Sequence, residues 1–313
     1  MERYFSFNTY LKQIFKERVH RISINAGFLC PNLDGSKSSF GCIFCNNDAF
    51  SQSYDSNLSQ IENIRKQIVD TINFFSSNKR FKNIRKFIAY FQSYSNTYAD
   101  VETLKNIFDV IKEFSQIVGI SVSTRPDCID IEKLKLLNSY SDKYLVWIEY
   151  GMQTSDDELL KWLNRNHTFE DFANAVELTK RFDKINIGAH IILGLPGQDV
   201  LKDAKKVAKL GLHGVKLHNL HVLKNTQLEQ LYYQGEIKIL DINEYIDIVC
   251  KFLEYIPENV VILRLVSSAK KELLIAPQWM NNKTAVVQMI QKKLEEMDTY
   301  QGKHSRKILV STK

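Results

Sequence analysis

The 313-residue chain contains no uninterrupted apolar run long enough to cross a bilayer, and Met1-Glu2-Arg3-Tyr4 offers no apolar leader. No membrane partner is expected, and the expected location is the cytoplasm. There is no Pro/Gly/Ser-rich linker, no internal repeat and no low-complexity tract. A strong excess of one charge is also missing. Forty-two basic against 36 acidic residues leave +6, which is compatible with an anionic partner but does not require one. Apolar residues at 44% and charged residues at 25% are ordinary for a globular protein that can bury a substantial core. Cysteine is scarce, with five in all.

Three of those five lie together. Cys30, Cys42 and Cys45 form a C-x11-C-x2-C pattern in a Gly/Pro/Asn/Asp-rich loop, directly after the strand-like run Arg21–Ile24. Thiolates this close in one loop are better read as soft-metal ligands in a reducing compartment than as a disulfide framework. Three readings compete. The thiols could be buried packing residues, a zinc knuckle completed by His20 or Cys128, or a three-thiolate cubane with one iron left open to a small molecule. Cys128 and Cys250 read as ordinary thiols.

Downstream, strands and helices alternate. After an amphipathic lead-in (1–19), strands are expected near 20–28, Phe87–Phe91, Gly119–Ser123, Tyr144–Ile148, Asn186–Leu193 and Gly214–His218. Apolar residues at helical spacing separate them, beginning at a capping box, Ser59-Gln60-Ile61-Glu62. Without hairpin signals, six such units argue for α/β architecture with a parallel sheet, curled into a partial (β/α)6 TIM-type barrel over 1–223. Residues 224–313 read as a C-terminal capping segment of the same compact unit. It includes a strand-like 260–264 and ends in a loosely held tail, His304-Ser305-Arg306-Lys307. In such barrels chemistry gathers at the C-terminal ends of strands. The cysteines, Gln92, Thr124 and Arg125, Glu149 and Gln153, Gly194, and His218 with His221 all fall there.

The loop Cys30-Pro31-Asn32-Leu33-Asp34-Gly35 with Gly41-Cys42-Ile43-Phe44-Cys45 resembles the cluster loop of the radical S-adenosylmethionine (radical SAM) superfamily, and more narrowly of its YhcC/YtqA family. So do Tyr90-Phe91-Gln92, Ser123–Asp127, Glu149–Thr154, Gly194-Leu195-Pro196, Lys216-Leu217-His218 and Tyr300–Lys303, in order. The resemblance implies that Cys30, Cys42 and Cys45 hold a [4Fe–4S] cluster whose open iron takes S-adenosylmethionine. A 5′-deoxyadenosyl radical then abstracts hydrogen from the substrate, with electrons supplied by an external donor such as flavodoxin or ferredoxin. Phe44 would pack near the adenine, or simply beneath the loop. Glu149 at a strand end would bind the ribose hydroxyls, Gln92, Thr124, Gln153 and Gly194 would add cofactor contacts, and Arg125 would meet a carboxylate in bidentate geometry. A buried polar network would use the same residue types.

His190, Lys216, His218 and Arg264 are the substrate-side candidates, with Lys216 and His218 sharing a face by strand alternation. Trp279 would either stack on a base or plug the cap. Members of the resembled family are associated with modified nucleobases, either the wobble uridine of tRNA or the free base queuine. This chain departs from their pattern at Leu33 and at Leu265-Val266-Ser267-Ser268-Ala269. Its basic clusters are short and scattered, whereas RNA binding calls for a continuous basic surface. The expectation is therefore a C–N lyase that converts queuine to a preQ1-type base in salvage. The alternatives are a tRNA wobble-uridine modification enzyme and a non-catalytic metal- or RNA-binding protein.

Overall fold

The computed structural model describes residues 2–81 and 83–305. Lys82, and Arg306 and Lys307 in the tail, lie outside the described residues. The lead-in forms α1 (Phe7–Phe15), whose N-cap Ser6 accepts the Thr9 N–H on its hydroxyl. The barrel units follow as β1 (Val19–Ile24), α2 (Gln60–Ser77), β2 (Lys86–Phe91), α3 (Val101–Asp109), β3 (Ile117–Thr124), α4 (Ile131–Ser139), β4 (Leu145–Gln153), α5 (Asp157–Trp162), α6 (Phe169–Thr179), β5 (Ile185–Leu193), α7 (Val200–Lys209) and β6 (Gly214–Asn219). The capping box forms as expected, with Ser59 and Glu62 satisfying each other's backbone N–H.

Beyond β6 come β7 (Val222–Leu223), α8 (Gln227–Tyr233), α9 (Ile242–Tyr255), β8 (Val261–Arg264), β9 (Leu274–Ala276) and α10 (Lys283–Glu296). The sheet runs β1-β2-β3-β4-β5-β6-β8 with every neighbouring pair parallel, so the half-barrel has seven strands rather than six. The strand-like 260–264, expected in the cap, is its seventh. A continuous apolar strand reached through α9 repeats the βα pattern and hydrogen-bonds to the free edge of β6. The barrel therefore extends beyond residue 223. For its two described residues the tail expectation also needs correction. His304 N–H donates to the Glu254 carbonyl at 2.7 Å and Ser305 is buried.

Alternate residues of each strand point inward and stack in layers. The lowest layer is apolar: Trp147, Ile88, Val261 and Leu263 meet Phe7 and Leu11 of α1. The Phe7 and Tyr10 rings stand edge-on to Trp147 at 5.8 and 5.7 Å, so α1 plugs this end. The indole fills space that a side chain at position 214 would take, since a Cβ on Gly214 would lie 2.8 Å from it. Above this floor the interior turns polar. At the other end, Ile43 of the cysteine loop joins Leu163, Leu220, Val222, Leu228 and Ala276 in a separate apolar cluster. The Leu228 N–H also donates to the Ile43 carbonyl at 2.9 Å, tying loop to cap.

Candidate active site

The loop that follows β1 folds back on itself. Leu33 N–H donates to the Cys30 carbonyl at 2.8 Å, Gly41 N–H to Asn32 at 2.7 Å and Cys45 N–H to Cys42 at 3.0 Å. Gly41 is left-handed, φ +72°, and a Cβ there would lie 2.8 Å from the Leu33 side chain. The three thiols converge. The Cys45 side chain reaches solvent, yet crowding by the loop and then the neighbouring Cys42 and Cys30 sulfurs push its thiol up to about 12. Sulfurs that oppose one another's ionisation call for a bound cation. His20 is not available as a fourth ligand, because it lies at the opposite end of β1 with its ring 4.4 Å from that of Phe75. Among the described residues no three His, Cys, Asp or Glu side chains are placed to hold a single metal ion. The donor set, three sulfurs around one cleft, suits an iron–sulfur cluster better than a zinc knuckle.

The cysteines form one wall of this cleft. Gln92, Tyr94, Ser95, Ser123, Thr124, Arg125, Gly151, Gln153 and His190 line the rest from successive strand ends. Five of the polar residues singled out from sequence, Gln92, Thr124, Arg125, Gln153 and His190, thus meet here against the wall formed by Cys30, Cys42 and Cys45. The Ser95 hydroxyl, Arg125 Nη1 and Arg165 Nε are buried without protein partners, so a ligand rich in donors and acceptors fits. A larger recess of about 1020 Å³ lies at the other end, around Glu2, Tyr4 and Tyr300, and brings together none of these groups.

Three expectations change. Arg125 does not present a free fork. Its Nε and Nη2 already grip both carboxylate oxygens of Asp127 at 2.9 Å each, and Nη1 alone remains unpaired. Phe44 packs into the loop–cap apolar cluster rather than lining the cleft. Glu149 is not at a strand end. It sits in the middle of β4, fully buried, with its acceptor positions in use. Oε1 accepts from Ser121 at 2.7 Å, while Oε2 meets His190 Nε2 at 2.7 Å, Lys216 Nζ at 2.9 Å and the Tyr90 hydroxyl at 3.2 Å. Arg21 approaches to 3.6 Å.

Lys216, His218 and Arg264 join this layer rather than the cleft wall. Lys216 also bonds to the Tyr90 hydroxyl. Arg264 Nη2 stands 2.6 and 2.7 Å from the two ring nitrogens of His218, and the His218 and His190 rings are 5.2 Å apart. Burial alone would raise the Glu149 carboxyl, but Lys216, His190 and Arg21 overcome it and hold it well below the usual range. Burial drives Lys216 well below its ordinary value, aided by Arg264 and Arg21 against the pull of Glu149. His190 is lowered to about 4 by burial and then Lys216. The result is a hidden carboxylate under a neutral imidazole, with basic groups in excess.

Other candidates make defined structural contacts. Gly194 is left-handed at φ +94°, and Leu240 occupies the place of a Cβ. Trp279 donates Nε1–H to the Leu240 carbonyl at 3.1 Å and packs against Tyr245, the plug rather than the stacking surface. His221 bonds to the Asn219 carbonyl at 2.8 Å. Sequence reasoning missed Arg21, Tyr90 and Ser121 around Glu149, and Asn32, Asn164 and Arg165 around the loop. The Asn-Arg-Asn run at 164–166 was an available signal. Both asparagines are left-handed, at φ 52° and 51°, and so present Arg165 inward.

The comparisons agree with this arrangement. The radical SAM superfamily profile matches residues 37–211, and the radical SAM C-terminal domain profile matches 212–296. The uncharacterized protein YtqA of Bacillus subtilis is 33% identical, covering 98% of this chain and 94% of its own length. The protein YhcC of Escherichia coli is 31% identical over 94% of this chain and 91% of its own. The solved structure of Elp3 from Methanocaldococcus infernus shares the fold, with a TM-score of 0.58 at 16% identity over 90% of this chain and 64% of that one. With profile, full-length relatives and half-barrel in agreement, the chain belongs to the radical SAM superfamily, in its YhcC-like family.

Proposed function

We propose that the protein is a C–N lyase for a modified nucleobase, acting on free queuine or a similar small deazapurine and releasing a preQ1-type base. As a radical SAM enzyme it uses a [4Fe–4S] cluster and S-adenosylmethionine, which together supply a hydrogen-abstracting radical. Cys30, Cys42 and Cys45 would hold the cluster. Gln92, Thr124, Gln153 and the unpaired Arg125 Nη1 would hold the methionine and ribose portions, since they line the cleft and some carry unmet hydrogen-bonding capacity.

The observation that carries the reading is the excess of basic groups beneath the cleft, where Arg21, Lys216 and Arg264 surround a single carboxylate, Glu149. Positive neighbours disfavour protonation of an amine brought among them. A secondary amine in the substrate would be kept neutral, with its lone pair free to stabilise a radical on the adjacent carbon. His190 would orient that amine. Its Nε2–H donates to Glu149, which leaves Nδ1 as the acceptor of a side chain that lines the cleft. Support for a small substrate comes from the turn after Arg264. That turn, Leu265-Val266-Ser267-Ser268-Ala269, departs from the resembled family's pattern and carries no carboxylate, and its Ser267 is fully buried and donates to Asn219 Oδ1 at 2.7 Å.

The test is an anaerobic incubation of reconstituted enzyme, reductant and S-adenosylmethionine with queuine or with total tRNA. Deoxyadenosine and a preQ1-type base are expected with queuine. Deoxyadenosine that rises only with tRNA would overturn the free-base reading in favour of wobble-uridine modification.

A further inference from the structure

Among the described residues, Cys42 is the one cysteine of the loop whose sulfur accepts side-chain hydrogen bonds, and it accepts two. Asn32 Nδ2 and Arg165 Nη1 each lie 3.4 Å from its Sγ. Neither donor is a chance surface contact. Asn32 is fully buried and Arg165 nearly so. Asn32 Nδ2 is fixed from the other side by the Asn164 carbonyl at 2.6 Å, and Asn164 returns a bond to the Gly41 carbonyl at 2.5 Å. Arg165 Nη2 donates to the Gly151 carbonyl at 3.1 Å, and a Cβ on Gly151 would stand 3.1 Å from that same nitrogen. The backbone carbonyl of Arg165 is held by Arg125 Nη2 at 2.7 Å. The guanidinium is thus aimed at one sulfur by bonds to the Gly151 and Arg125 segments. Its Nε is left buried and unpartnered, facing a site that is incomplete without a ligand.

We propose that Asn32 and Arg165 are positioning residues that set the reduction potential of the cluster through Cys42. Reduction adds an electron to a body of sulfide and thiolate that is already negative. Donor N–H groups and a fixed positive charge at one sulfur stabilise that extra charge and raise the potential. Placing both on Cys42 makes the cluster unsymmetrical and lets a modest one-electron donor reduce it. The inference rests on Cys42 being a cluster ligand.

The experiment is a potentiometric titration of the reconstituted holoenzyme, followed by electron paramagnetic resonance with iron content measured in parallel. Arg165→Met and Asn32→Ala should keep their iron while the midpoint moves to more negative values. The expected change is roughly tenfold in the reduction equilibrium for Arg165→Met, which is about 59 mV for a one-electron couple. Arg165→Lys, keeping charge without the fork, should fall between. Unchanged midpoints with full iron would overturn the proposal. If Arg165→Met fails to take up iron, the wild-type holoenzyme decides, because isotopically labelled arginine nitrogen should couple magnetically to the reduced cluster. No coupling would also overturn it. Full iron in Cys42→Ala would instead refute the ligand assignment, so the two failures are distinct.

Discussion

Lys216 Nζ lies 2.9 Å from Glu149 Oε2 inside the barrel, and both side chains are almost completely buried. The two residues are on strands separated by β5, and they meet because inward positions of a curled parallel sheet face one another. Removing the carboxylate leaves the buried Lys216, His190, Tyr90 and Ser121 donors without their shared acceptor. Glu149→Ala should therefore lower stability by about 3–5 kcal/mol. The double variant Glu149→Ala/Lys216→Met should lose clearly less than the sum of the single changes in urea denaturation. Simple additivity would show that the pair is not coupled.

Cysteine replacements should separate fold from chemistry. Cys30, Cys42 and Cys45 lie in a loop outside the main apolar core. Alanine at Cys42 or Cys45 should abolish iron uptake and deoxyadenosine formation together while leaving the circular dichroism spectrum unchanged. Turnover retained in either variant would remove that residue from the ligand set.

The buried histidines should make the protein sensitive to mild acid. His221 is lowered from 6.5 to about 4, first by burial, against the Asn219 carbonyl, and further by Arg264. Between those values the unfolded chain binds a proton that the native state refuses. Stability from this group is complete above pH 6.5 and falls as pH drops toward 4, by up to about 1.4 kcal/mol per pH unit. His221→Gln, which can still donate to the Asn219 carbonyl, should flatten the stability profile across that window. An identical slope in the variant would exclude His221 as its source.

At the plugged end of the barrel, Trp147→Ala should cost about 3–5 kcal/mol, because it empties the space shared with Phe7, Tyr10 and Gly214. Removing the α1 contact by Phe7→Ala should cost less in the Trp147→Ala background than alone. Chemical denaturation of the four proteins gives both comparisons.

Glycine at 151 is required by what passes over it. Gly151→Ala would place a methyl 2.8 Å from Gln153 Nε2 and 3.1 Å from the Arg165 guanidinium. The expected outcome is a loss of roughly 1–3 kcal/mol and weaker S-adenosylmethionine binding by calorimetry. Wild-type affinity would show that neither neighbour has to hold its place.

Much of this was readable in the linear chain. Cysteine spacing is a local property, and so is the period-two apolar strand that alternates with period-3.6 helix, so the metal loop and the βα order follow from neighbours in sequence. Glu149 shows where that reading stops. As a residue near the end of a predicted strand it looks like a free ligand for hydroxyls, but β4 continues four residues further and carries it down into the barrel. Only there do Arg21, Tyr90, Ser121, His190 and Lys216, from five other elements or turns of the sheet, converge on it and use its lone pairs. Arg125 is similar. Its residue type suits a bidentate grip on a ligand's carboxylate, but the fork closes on its own neighbour Asp127.

The sequence by itself therefore determined the type of chemistry, because three thiolates and the strand-end residues around them are encoded over short stretches with recognisable spacing. Which polar groups remain free to meet a ligand, and which are spent on one another, was decided only by the tertiary structure. Partner choice in a buried network depends on the register and curvature of seven strands brought together from across the chain. No single stretch contains that geometry.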